Sequence, residues 1–164
     1  MNLKNLLTRR KNTVVQKWFD RVMETYPMAV QKVFRQQSDP FSNPVGSTIS
    51  RGLEGLYDEL PGEADYEKVR SSLDGILHIR AIQDFSPSQA VVFLPLLKGV
   101  LKEEIGEEVR ENRLYAEWLE LESRIDEFLL LAFDIYMECR EKVFQLKNGE
   151  RQTRPALSSL RSET

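Results

Sequence analysis

Histidine and cysteine each occur once in the 164 residues, as His78 and Cys139, and these two shortages remove several classes of function. With one histidine, a two-histidine metal site or a Glu-x-x-His di-iron pair cannot be assembled, and no serine or cysteine nucleophile has a base placed by motif. One cysteine cannot close an intramolecular disulfide, so stability must come from packing, and the reducing cytoplasm is the expected compartment. Glycine and proline are sparse, at eight and seven residues, below the usual share of roughly 12%. Gly46, Gly52 and Gly55 fall within one helical pattern and Gly62 in a turn, so no strand-glycine-helix phosphate loop exists. Apolar runs are short. The longest, Phe128 to Phe133, is far below the roughly 20 residues a bilayer span needs, and no membrane insertion is expected. At the N-terminus apolar residues precede Arg9, Arg10 and Lys11, the reverse of a secretion signal. Positive charge is not in excess either. Lys plus Arg is 23 against 26 for Asp plus Glu, a net charge of −3 with a pI near 5.4, which leaves no field to hold a phosphate backbone; nucleic acid is not an expected partner.

What is present is helical periodicity. Leu3 to Tyr26 reads as one amphipathic helix stopped by Pro27, and a short helix follows from Met28 to Gln36. Ser38 to Pro44 reads as a turn. Asn43 before Pro44 is a helix start, because the side chain accepts a free backbone N–H and proline there loses no bond. This helix carries Val45, Ile49, Leu53, Leu56 and Tyr57 to about Leu60, where Pro61-Gly62 ends it. The next runs from near Asp65 to about Phe85. Ser86-Pro87-Ser88-Gln89 is a capping-box start, opening an almost wholly apolar helix with a kink expected at Pro95. The last helix is expected from about Glu107 to Gln145, some 60 Å long. Its main stripe is Leu114, Trp118, Leu121, Ile125, Phe128, Ala132, Tyr136, Cys139, Val143 and Leu146. A second stripe, Tyr115, Leu119, Leu129, Phe133, Met137 and Phe144, makes the apolar surface too wide for one intramolecular contact, and a homodimer through Tyr115, Leu119, Leu129, Phe133 and Met137 is expected. The fold class expected is all-α, a globin-like bundle of six or seven helices with a long C-terminal helix. Residues 1–146 form the domain, and 147–164 form a polar tail expected to be disordered.

Candidate sites are few. His78 is the residue a haem reading would use, but a lone histidine among Leu77, Ile79 and Ile82 is more commonly a core or pocket residue, and no cofactor is expected. Glu103, Glu104, Glu107 and Glu108 form an acidic face at a junction expected around Gly106, read as solvated rather than as a cation site, so no metal is expected. Arg9, Arg10 and Lys11 read as a wet helix face, and Cys139 as a small apolar filler. His78, Arg80 and Gln83, with Asn43, make a polar corner in apolar surroundings, either a brace for backbone carbonyls or a small ligand pocket. Enzymatic activity is not expected.

Three segments in order carry a family resemblance: Trp18 to Pro27 (WFDRVMETYP), Asp39 to Gly46 (DPFSNPVG) and Ile79 to Ala90 (IRAIQDFSPSQA). They resemble the N-terminal domain of the RsbRD type of RsbT co-antagonist protein, over roughly residues 3 to 140. The resemblance implies a sensory or regulatory input domain, since related stressosome domains are haem-free globin-like dimers whose last helix carries the signal to an output domain. Here 19 mostly polar residues follow Gln145 in place of that output domain, so this module is expected to act by binding a regulatory protein partner. A haem- or small-ligand-binding globin using His78 and an assembly factor for a redox complex are the rival expectations.

Overall fold

The computed structural model describes residues 1–35 and 41–162, with side chains through residue 149. Eight helices make up the described structure: α1 (Leu3–Arg9), α2 (Lys11–Met23), α3 (Met28–Arg35), α4 (Pro44–Asp58), α5 (Tyr66–Ile82), α6 (Pro87–Val91), α7 (Phe93–Glu111) and α8 (Tyr115–Ser162). The all-α expectation holds among the described residues. The turn expected over Ser38 to Pro44 begins on residues 36–40, which lie outside the described residues, as do the side chains of most of the polar tail expected from residue 147.

Two of the expected helices are each divided. The first breaks at Arg10, whose N–H closes α1 on the Leu6 carbonyl at 3.0 Å. α1 is thereby free to reach two other helices: the Leu3 N–H donates to Glu117 of α8 at 2.9 Å, and Tyr57 of α4 donates its hydroxyl to the Leu7 carbonyl at 2.7 Å. The second breaks at Val92 rather than kinking within a helix. Pro95 has no N–H to give the Val91 carbonyl, and α6 ends at that residue. Gly106, expected at a junction, lies inside α7, and the chain turns instead at Asn112 to Leu114, so α8 begins at Tyr115 rather than near Glu107. There the Leu114 N–H reaches the Val109 carbonyl at 2.9 Å and the Arg113 N–H that of Arg110 at 3.2 Å. This is the two-bond helix closure that needs a left-handed residue, and Arg113, at φ 56°, supplies it without glycine.

The starts follow the expected local chemistry. Asn43 Oδ1 accepts from the Gly46 N–H at 2.9 Å with Pro44 in the first turn, and both bonds of the Ser86/Gln89 capping box are present. α5 packs against both α4 and α8, while α2 packs against α7 and α4. The α4–α5 approach is tight because of glycine: a methyl on Gly52 would lie 2.7 Å from Ile76 Cδ1, itself fully buried. Trp18, fully buried, donates from Nε1 to the Phe93 carbonyl at 2.6 Å, which fixes α2 against the first residue of α7.

The basic and acidic clusters, read separately as solvated faces, pair with each other. Arg9 and Arg10 both reach Glu108, Lys17 reaches Glu104, and Arg21 meets Glu103 at 2.6 Å. Lys11 turns instead to α4, where it meets Asp58 at 2.7 Å and Glu54 at 3.1 Å. Each such exposed pair contributes at most about 1 kcal/mol, but together they match α1 and α2 to α7.

Candidate functional site

α5 turns its apolar face, Val69, Leu73, Ile76 and Leu77, into the core. Arg80 stands three, four and seven residues beyond the last three of these, so helical spacing drives it inward too, and its side chain is fully buried. The helix then closes on a two-bond cap. The Phe85 N–H reaches the Arg80 carbonyl at 3.2 Å and the Asp84 N–H that of Ala81 at 3.1 Å, with Asp84 at φ 60° in the left-handed region. In such a closure the residue after the left-handed one folds back over the helix's last full turn. That residue is Phe85, and its ring lies 4.6 Å from the Arg80 guanidinium carbon.

Tyr26, at the end of the α2 stripe, covers Arg80 as well, with its centroid 5.2 Å from the guanidinium carbon. The Tyr26 and Phe85 rings stand 5.5 Å apart, and Phe34 meets Tyr26 edge-on at 5.3 Å. The Tyr26 hydroxyl donates to Gln83 Oε1 at 2.8 Å. Arg80 Nη1 donates to the Gln89 carbonyl at 3.2 Å, while Nε and Nη2, both buried, have no partner among the described residues. Burial lowers the Arg80 pKa from the ordinary guanidinium value, and the Tyr26 hydroxyl opposes that shift. Burial raises the Tyr26 pKa, against the pull of Arg80 and Gln83. No carboxylate among the described residues pairs with Arg80. A cavity of about 390 Å³ is lined by Thr25, Phe85, Ser88, Gln89 and Val92.

The expected corner is therefore partly assembled. Arg80 and Gln83 meet through Tyr26. His78 does not join them: it is exposed on the solvent side of α5, which corrects its reading as a core or pocket residue and leaves the haem reading without an enclosed ligand. Asn43 is buried, but it caps α4 and donates from Nδ2 to the Phe34 carbonyl at 2.5 Å, so it braces the aromatic group behind Tyr26 and not Arg80 itself. Sequence reasoning missed Tyr26, Phe85 and Gln89 as the groups around Arg80. The inward spacing of Arg80 from Leu73, Ile76 and Leu77 was the available signal.

The corner is joined to α8. The Phe85 carbonyl accepts from the Tyr136 hydroxyl and from Arg140 Nη1, the latter at 3.3 Å. On α8 the first stripe faces the core, with Leu121, Ile125, Phe128, Ala132 and Tyr136 buried and Trp118, Cys139 and Val143 half-buried, though Leu146 is exposed. Burial raises the Cys139 thiol pKa, with Asp74 adding to the shift, which disfavours the reactive thiolate. The second stripe faces outward: Tyr115 is 68% exposed, Leu119 47%, Phe133 46% and Met137 42%, and Leu129 is half-buried. Phe144, its last member, is exposed as well, and Leu130 adds to it. No helix among the described residues is long and apolar enough to cross a membrane.

Comparison with known proteins bears on residues 12–151, which match the family model of the RsbT co-antagonist protein RsbRD N-terminal domain. An uncharacterised protein of Archaeoglobus fulgidus is 27% identical over 143 residues, covering 87% of this chain and 85% of its own length. No solved structure matches the chain.

Proposed function

The chain belongs to the RsbRD N-terminal domain family, a family of signalling domains, and from that premise we propose that it is a non-catalytic, cytoplasmic regulatory module. It works as a haem-free, globin-like homodimer that senses a ligand or a partner's state at the Arg80 corner and acts on a regulatory protein through contacts of α8. The observation that carries this reading is the outward stripe of α8. From Tyr115 to Phe144 it runs for about 44 Å, apolar at Tyr115 and Leu119 and again from Leu129 to Met137, with Glu122 and Asp126 between the two groups, and large exposed apolar side chains grouped in this way mark an association surface rather than scattered exposure. A second copy of the same helix buries it in a self-complementary way.

The test is native mass spectrometry and size exclusion of the purified protein and of Phe133→Glu. A dimer of bare chains is expected for the parent, because one spectrum reports both subunit count and any retained ligand mass. The variant is expected as a monomer with unchanged helical circular dichroism, since a carboxylate in the middle of the strip would have to be desolvated on pairing. A folded variant that remains dimeric refutes the interface. In this reading residues 149–164 are the partner's handle, and their removal is expected to abolish partner capture while leaving the dimer intact.

A further inference from the structure

A guanidinium cannot shed its charge at neutral pH, so a buried arginine needs either an anion or hydrogen-bond acceptors for its donors. Arg80 has one acceptor, the Gln89 carbonyl, and two aromatic faces. Its Nε and Nη2 groups are fully enclosed and have no partner among the described residues. These two are not an arbitrary pair of donors. They form the side-on edge of the guanidinium, whose two parallel N–H bonds match the two oxygens of a carboxylate. Tyr26 and Phe85 cover the guanidinium with adjacent rings 5.5 Å apart and tilted 43° to each other, and Phe85 and Gln89, which both touch Arg80, also line the cavity of about 390 Å³.

We propose that Arg80 is the anchor of a ligand site for a small monocarboxylate with a short apolar or aromatic tail, the carboxylate taking the Nε and Nη2 edge and the tail lying toward Thr25 and Val92. The inference deepens the sensory reading by naming the class of ligand. An anion entering from the cavity must displace Phe85, whose carbonyl holds Tyr136 and Arg140 of α8. Occupancy is thereby linked to the helix that carries the dimer strip. Phosphate can also offer two oxygens to that edge, but it brings a second charge to desolvate and presents no apolar tail to Tyr26 and Phe85.

The experiment uses the full chain with sodium propionate, sodium benzoate, sodium phosphate and sodium chloride at equal ionic strength. Two signals are read: the thermal midpoint, which rises with any ligand that binds only the native state, and the Arg80 Nε–Hε cross-peak in a ¹H–¹⁵N spectrum, assigned by its absence in Arg80→Met. The carboxylates are expected to raise the midpoint saturably and to shift that peak, with chloride and phosphate without effect. Arg80→Lys, which keeps the charge but loses the side-on edge, is expected to bind at least tenfold more weakly. The inference is overturned if neither carboxylate moves the peak of the parent protein, if phosphate or chloride does so equally, or if Arg80→Met gives the same midpoint response. Subunit mass is recorded on the same samples, so a monomer that binds carboxylate refutes the dimer and not the site, and a dimer that ignores carboxylate does the reverse.

Discussion

Gly52 and Gly99 both lie inside helices, and replacing each by alanine isolates the contact between α4 and α5. Alanine in a helix interior is favoured over glycine by about 1 kcal/mol, whatever the helix. At Gly99 nothing lies within 4 Å of the added methyl, so Gly99→Ala is expected to stabilise by about that amount. At Gly52 the methyl would meet Ile76 Cδ1 at 2.7 Å, Ile76 Cγ1 at 2.8 Å and the Ser72 carbonyl oxygen at 3.1 Å. Ile76 is fully buried and cannot swing into solvent, so the helices must part or a side chain must leave its rotamer, which costs about 1–3 kcal/mol. Because the helix preference is common to both variants, the gap between them is the clash alone, about 1–3 kcal/mol. In a domain of this size that is a separation of about 2–12 °C in thermal midpoint. Urea unfolding followed by circular dichroism at one protein concentration measures it, with an unchanged denaturant slope as the check that only stability moved. If both alanines stabilise equally, α4 and α5 do not meet at Gly52 and the packing described above is wrong.

Asn43→Ala removes the cap of α4 together with the bond to the Phe34 carbonyl, and a loss of about 1–2 kcal/mol is expected in the same urea assay. Tyr57 gives a pH dependence. Burial pushes its pKa well above the ordinary tyrosine value, with Asp58 adding to the shift. A group whose pKa is raised by folding contributes stability below its unfolded value, near 10, and loses it as pH climbs toward the folded one. The urea midpoint is therefore expected to fall between pH 10 and 11, and to fall less steeply in Tyr57→Phe. Equal slopes in the two proteins would show that other groups drive the alkaline loss.

What the sequence discloses is what neighbours along the chain decide. The Asn43-Pro44 and Ser86-Pro87-Ser88-Gln89 starts depend on side chains within three residues of the backbone they cap, and both are present. The breaks at Arg10 and Arg113 depend on distant groups or on a left-handed backbone with no glycine to announce it, and apolar periodicity runs straight across the first of them. Gly106 announced a break that α7 does not need. The pairing of Arg9, Arg10, Lys17 and Arg21 with Glu103, Glu104 and Glu108 was invisible because it joins residues more than 80 positions apart. At the corner, Arg80 was legible as a polar residue in apolar surroundings, but Phe85 reaches it through the cap at Asp84, a conformation that residue type does not dictate. His78 was misread because its neighbours in sequence are apolar, while its own direction on the helix is outward.

Tyr136 and Arg140, one helical turn apart on α8, hold the same carbonyl of Phe85, and this has a mechanical consequence. Advancing α8 along its axis by a single residue, about 1.5 Å, would carry both donors off their shared acceptor together. Tilting or twisting about that oxygen keeps both nearly in place. The carbonyl is thus the single point at which the cap of α5 grips the long helix, and a disturbance of that cap is expected to reach α8 as torque about this point rather than as a piston stroke.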